Sequence, residues 1–202
     1  MTGIKFCGLS RPCDIEAANQ LRPDYIGFVF AQKSKRYVSP DRAAKLRALL
    51  APGIRAVGVF VDEKPEMIAD LLQKNIIDMA QLHGREGEEY IGQLRQLTDQ
   101  PIIRAFRVEG PEDIRKAEES RADYILLDSG AGTGKRFDWK MIQDINRPYF
   151  LAGGLSLANI ESAIKELGPY AVDVSSGIET DGVKDREKMA AFLAAVRKEE
   201  KR

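Results

Sequence analysis

"YIGFVFAQKSKRYVSPDRAAKLRALLAPGIRAVGVFV", Tyr25 to Val61, carries the pattern from which the fold is read. A β-rich apolar run, Tyr25–Phe30, opens the stretch, and a second, Ala56–Val61, closes it. Between them Ser39-Pro40 sets a capping hydroxyl ahead of a proline at a first helical position, and amphipathic spacing follows. Two strands separated by a helix imply parallel pairing, because parallel strands need a long crossover.

The unit recurs along the chain. Further apolar runs stand at Ile4–Cys7, Met79–Leu82, Ile102–Phe106, Tyr124–Leu127, Tyr149–Ala152 and Ala171–Val174. Pro65 and Pro111 fall where first helical turns are expected, Ser156 precedes "LANIESAIKEL" as a cap, and "DREKMAAFLAAVRKEEKR" ends on basic residues that suit a helix C-terminus. About eight strand–helix units close most simply into a compact (β/α)8 TIM barrel, one α/β domain over residues 1–202. A doubly wound open sheet is the alternative. At ~25 residues per unit some helices must be short or replaced by loops, and the stretch around "NRPYF" is one such tight place.

Composition limits the function classes. Lys+Arg and Asp+Glu each total 31, so no net field invites nucleic acid or an acidic membrane, and any anion must be captured locally. No apolar run approaches the length of a membrane span, and "MTGIKFCGLS" lacks the features of a signal peptide, so a soluble, cytoplasmic protein is expected. Cys7 and Cys13 are too few for a disulfide framework. With His83 the single histidine, and neither Cys-x-x-Cys nor His-x-His present, a metal site is not expected.

A barrel of this kind carries its chemistry at the C-terminal ends of its strands, where side chains alternate between interior and helix layer. The alternation predicts that Ile4 and Phe6 face the helices while Lys5 and Cys7 face inward. Gln81 and His83 share one face, Asp128 ends its strand, and Asp173 and Ser175 lie opposite the neighbouring valines. Singly, each has an ordinary reading: a buried cysteine is a small hydrophobe, a lone histidine is structural, and a strand-terminal aspartate caps a turn. Cys13, early in the first helix, is read as structural. Polar groups from strands one, four, six and eight converging on one rim are harder to explain as solvation.

Gly153-Gly154 follow the seventh strand and Ser175-Ser176-Gly177 the eighth, the two loops with which many barrels bind phosphate. As simple turns they would need no ligand. "LLDSGAGTGKRFDW", from Leu126 to Trp139, looks like a nucleotide loop but fails the test. A P-loop needs glycine where Ser129 stands and Ser or Thr where Arg136 stands, and the dinucleotide pattern needs glycine at Lys135. A mobile loop over the barrel mouth, with Gly132, Thr133 and Gly134 in it, fits better.

The ordered motifs "IKFCGLSRP", "IGFVFAQKSKRYVSP", "VGVFV", "QLHG", "RAF", "LLDS", "GTGKRFDW", "LAGGL" and "VDVSSGIE" span nearly the whole chain. Together they resemble the phosphoribosylanthranilate isomerase family of tryptophan biosynthesis. Two departures stand out: Lys35 where the family commonly has proline, and Ala131 where its loop often begins with glycine.

The resemblance implies an Amadori rearrangement of N-(5-phosphoribosyl)anthranilate, with Cys7 as general base and Asp128 as general acid. It implies Arg36 on the anthranilate carboxylate, and Gly153, Gly154, Ser176 and Gly177 at the phosphate. Lys5, Gln81, His83, Asp173 and Ser175 are expected to line the pocket or to stand behind its lining. No cofactor is called for, and the partner is a small phosphorylated substrate; the chain would be a monomer or homodimer. Asp128 must then stay protonated near neutrality, and Cys7 must be partly thiolate, with Lys5 the expected cation beside it. Two rivals are the histidine-pathway ribonucleotide isomerase, associated with an aspartate where this chain has Cys7, and a non-catalytic barrel that binds a phosphorylated ligand or FMN.

Overall fold

A computed structural model of the protein describes residues 1–128, 142 and 145–199. Eight parallel strands close into a barrel in chain order: β1 Gly3–Cys7, β2 Tyr25–Val29, β3 Arg55–Phe60, β4 Met79–Leu82, β5 Ile102–Arg107, β6 Tyr124–Asp128, β7 Tyr149–Ala152 and β8 Ala171–Val174. The seam is sealed by β8 against β1, with Gly3 opposite Ala171 and Lys5 opposite Asp173. The closed barrel, rather than the open sheet, is the observed topology. A short antiparallel hairpin, β9 Glu179–Thr180 and β10 Val183–Lys184, follows β8.

The helices are α1 Pro12–Leu21, α2 Pro40–Arg47, α3 Pro65–Gln73, α4 Glu88–Arg95, α5 Pro111–Glu119, α6 Ile160–Leu167 and α7 Arg186–Glu199. Four of them begin on a proline, which gives up no hydrogen bond at the first helical position. Ser39 Oγ accepts from the Arg42 amide and so caps α2, as its sequence signal predicts. Ser156 does not cap α6. Its hydroxyl accepts from Ala158 N within a turn, and α6 begins only at Ile160, after Asn159 has tied the turn through Ser156 N and Gly154 O. An amphipathic pattern marks which residues are buried, and a one-turn lead-in can carry the same pattern as the helix itself. Residues 145–148, leading into β7 through Asn146-Arg147-Pro148, form no helix.

Strand alternation divides the apolar side chains into two cores. Outward residues such as Ile4, Phe6, Ile26, Phe28 and Phe60 pack under the helices. Inward residues Tyr25, Val57, Met79, Ile103, Leu126 and Phe150 fill the barrel. Phe150 sits among three tyrosines, with ring centroids 5.4 Å from Tyr25, 5.8 Å from Tyr124 and 5.7 Å from Tyr170, all edge-on. This aromatic plug closes the barrel interior, so polar chemistry is confined to the opposite, C-terminal end. Among the described residues no helix is long and apolar enough to cross a membrane.

Phe150 is fully buried and packed edge-on against three tyrosine rings. Phe150→Ala is therefore expected to cost about 3–5 kcal/mol of unfolding free energy, read from the midpoint shift in chemical denaturation.

Candidate active site

A cavity of about 640 Å³ opens at the C-terminal ends of the strands. Cys7 from β1, Asp128 from β6 and Asp173 from β8 line it. So do Gln81 from β4, His83 just past it, Ser175 beyond β8, Arg36 and the Gly153–Gly154 turn. The inward alternation read from sequence is thus the one observed, and it brings four strand ends to a single mouth.

The floor is a buried ion pair. Lys5 Nζ donates to Asp173 Oδ2 at 2.8 Å, and Lys5 has no exposed surface. Burial works against the ammonium, but the charges of Asp173 and then Cys7 outweigh it, and the Lys5 pKa is raised. Cys7 stands beside the pair because the facing residue on β2 is Gly27. A Cβ there would lie 2.8 Å from Cys7 Sγ and 3.3 Å from Lys5 Nζ. That close approach requires glycine.

The Cys7 pKa was expected to lie below the ordinary thiol value with Lys5 as the cation responsible; Lys5 does lower it, but the net shift is upward. Burial, and then the charge of Asp173, push the thiol above its usual range; Lys5 and Lys184 pull the other way without winning. Burial is the largest cause, and the partnership of Lys5 blunts what would oppose it. The Lys5 charge is shared with Asp173, whose negative charge opposes a thiolate at the same spot.

On the opposite wall, Gln81 Nε2 lies 3.0 Å from His83 Nδ1, and His83 Nε2 lies 3.5 Å from Asp128 Oδ2. A Gln81 amide that donates to Nδ1 requires the tautomer with its ring proton on Nε2, the nitrogen nearer Asp128. Among the described residues Gln81 Oε1 and Asp173 Oδ1 are buried without a hydrogen-bond partner. Unsatisfied buried acceptors cost about 1–3 kcal/mol each, so two of them lining one cavity mark it as built for a ligand with donors.

Arg36 also reaches the cavity, though its guanidinium already has a partner. Nε donates to Glu179 Oε1 and Nη2 to Glu179 Oε2, both at 2.6 Å. Lys184 Nζ bonds the same Oε1 and also Ser175 O, at 3.0 Å. Ser175 Oγ donates to Cys7 O at 3.1 Å and so ties the end of β8 to the end of β1.

The two phosphate candidates meet. Gly153 and Gly154 have φ of 88° and 63°, a left-handed turn that favours glycine, and both line the cavity with Ser176. Gly177 lies behind them: a Cβ would fall 2.0 Å from Leu155 O, so the glycine lets the β8 loop press against the β7 loop. Ser176–Ile178 form a single 3-10 turn, the short extra helix that barrels of this kind place near phosphate. Gly132, Thr133 and Gly134 lie outside the described residues. Cys13 is exposed on α1, away from the cavity lining.

Among the described residues, three charged ones that line or support the cavity escaped the sequence reading. Arg107 faces inward on β5, as its spacing from Ile103 and Ala105 could have told. Glu179 ends a quoted motif but carries no strand-end signal. Lys184 lies beyond every motif, and its partnership with Glu179 exists only once the hairpin folds.

A family model for N-(5'-phosphoribosyl)anthranilate isomerase matches residues 4–195. A protein named N-(5'-phosphoribosyl)anthranilate isomerase, from Endomicrobium trichonymphae, is 43% identical, covering 98% of this chain and 99% of its own. The crystal structure of phosphoribosyl anthranilate isomerase from Thermotoga maritima superimposes with a TM-score of 0.90 at 37% identity, over 98% of this chain and 100% of that one. A phosphoribosyl anthranilate isomerase in complex with reduced 1-(o-carboxyphenylamino)-1-deoxyribulose 5-phosphate gives 0.88 at 36% identity, with the same coverage.

The electrostatics of the floor predict a titration. In a Cys13→Ser background, the pH dependence of Cys7 alkylation should place its pKa above the ordinary thiol value of about 8.5. Asp173→Asn should move it down, because it removes an anion beside the thiolate and releases Lys5. An unchanged or raised midpoint would contradict the electrostatic account.

Proposed function

The chain belongs to the family of N-(5'-phosphoribosyl)anthranilate isomerases, and we infer that it catalyses the family's Amadori rearrangement, a step of tryptophan biosynthesis. N-(5'-phosphoribosyl)anthranilate becomes 1-(2-carboxyphenylamino)-1-deoxyribulose 5-phosphate. The observation that carries the reading is that Cys7, Asp128, Arg36, Gly153, Gly154 and Ser176 line one cavity at the C-terminal mouth of the barrel.

In this reading Asp128 protonates the furanose ring oxygen as the C1–O bond breaks, with the anthranilate nitrogen supplying electrons to form the C1=N imine. Cys7, as thiolate, then takes the C2 proton. The electron pair left at C2 forms a C1=C2 bond while the imine electrons return to nitrogen. The resulting enaminol ketonises as C1 takes up a proton and the C2 hydroxyl gives one up. None of these steps transfers electrons to an external acceptor. A thiol held up by burial forms a thiolate that is a stronger base once formed, at the expense of a smaller thiolate fraction near neutrality. Arg36 presents a guanidinium fork to the anthranilate carboxylate. Backbone amides of the glycine turn, with Ser176 and Gly177, take the phosphate. His83 faces Asp128 and orients its carboxyl, while Gln81 and Asp173 offer their unpaired oxygens to the substrate's hydroxyl or amine donors.

The reading includes one barrel domain over residues 1–202, a small phosphorylated substrate as partner, and a cytoplasmic monomer or homodimer. Neither nucleic acid nor membrane enters it.

The direct test is consumption of the fluorescent anthranilate adduct. Cys7→Ser and Asp128→Asn should each lower turnover by at least about a hundredfold, and near-wild-type rates in either would refute that residue's role. Arg36→Met should raise the Michaelis constant with the fold retained by circular dichroism; an unchanged constant, with binding shown to be at equilibrium, would count against it.

A further inference from the structure

We propose that Glu179 is a positioning residue for substrate recognition: it holds one edge of the Arg36 guanidinium so that the other edge meets the carboxylate of the aromatic ring. The inference rests on the reading of Arg36 as the carboxylate receptor and adds a residue that this reading does not require.

A guanidinium has two edges able to grip a carboxylate, one through Nε and Nη2 and one through Nη1 and Nη2. Glu179 occupies the first edge with two bonds of 2.6 Å. Among the described residues Nη1 makes no hydrogen bond, and Arg36 lines the cavity. The second edge is therefore the one available to a ligand.

The holding carboxylate is itself fixed. Its side chain is 6% exposed, and it pairs directly with Lys184, whose side chain is 2% exposed. Glu179 and Lys184 stand opposite each other across the β9–β10 hairpin. Lys184 is anchored in turn to Ser175, which also holds the backbone of Cys7. Burial works against the Glu179 charge, but Arg36 and Lys184 outweigh it and the pKa is lowered, so the clamp stays ionised.

The stem of Arg36 is fixed as well. It lies across Gly8, where a Cβ would come 2.4 Å from Arg36 Cδ. Gly8 has φ of 81° and directly follows Cys7, so one turn sets both the thiol and the bed of the arginine.

The charges are consistent with an anion receptor. Arg36 and Lys184 contribute two positive charges against one from Glu179, which leaves the cluster net positive. A bridge serving the hairpin alone would not need a guanidinium that lines the cavity and keeps Nη1 unbonded among the described residues. Pre-ordering the receptor removes part of the rotamer entropy that a long free arginine would lose on binding.

The test compares two ligands on the intact protein: the reduced product analogue carrying the ring carboxylate, and its counterpart with an unsubstituted ring. Glu179→Gln should weaken the carboxylated ligand and raise KM by about tenfold or more, while kcat and the affinity for the unsubstituted ligand stay within about threefold. In an Arg36→Met background the same substitution should add little, because the two residues act as one unit. Glu179→Asp keeps the charge that Lys184 needs and should recover part of the carboxylate affinity; it also serves if Glu179→Gln fails to fold. Equal weakening of both ligands, or effects that add independently to Arg36→Met, would overturn the inference and leave Glu179 as a hairpin brace. If Arg36→Met itself left the preference for the carboxylated ligand intact, the assignment of Arg36 would fall first, so the two failures are told apart.

Discussion

The ammonium of Lys5 and the carboxylate of Asp173 meet at 2.8 Å across the seam where the last barrel strand closes on the first. Two charges so far from water are costly to bury, and each is tolerable only because the other is there. Removing one partner of such a pair commonly costs about 3–5 kcal/mol, because the other is left buried and unpaired. The pair therefore locks the register of β1 on β8. Register in turn decides what faces inward, since a slip of one residue would turn Cys7 to the helices and Ile4 to the interior.

The same pair sets the chemistry above it. A cysteine beside a lone lysine would be driven towards thiolate. Beside a lysine already shared with an aspartate, and out of solvent, it is held as thiol. A thiolate formed there would be a stronger base than an ordinary one, at the expense of its standing population. Among the described residues Asp173 also keeps one oxygen without a hydrogen-bond partner, as does Gln81. The structure stores polar dissatisfaction where a ligand can relieve it, while aromatic rings pack around Phe150 in the barrel interior at the far end.

Much of this was legible in the residues. The eight apolar runs match the eight strands to within a residue or two at each end, because a barrel strand needs a short β-branched and aromatic run and little else can be made of one. Pro40, Pro65 and Pro111 mark helix starts through their missing amide, which is a local fact. Period-two alternation told which of Lys5, Cys7, Gln81, His83, Asp128, Asp173 and Ser175 face inward. Ser156 misled because a turn preceding a helix shares the helix's apolar spacing. Lys5 does pull the Cys7 pKa down as its position suggests, but burial and a carboxylate 168 residues beyond Lys5 outweigh it.

What the sequence determined by itself is whatever short-range physics can write: strands, helix starts, the inward faces, and the failure of the glycine loop to meet the spacing of a nucleotide site. What the tertiary structure decided is every property that depends on a partner distant in the chain. Lys5 became the counter-ion of Asp173, so its pull on Cys7 does not prevail, and Arg36 came to lie with one edge of its guanidinium taken up by Glu179. The physical reason is that Coulomb energy and desolvation depend on distance and burial in three dimensions. A sequence fixes which charges exist, and only closure of the barrel fixes which of them meet.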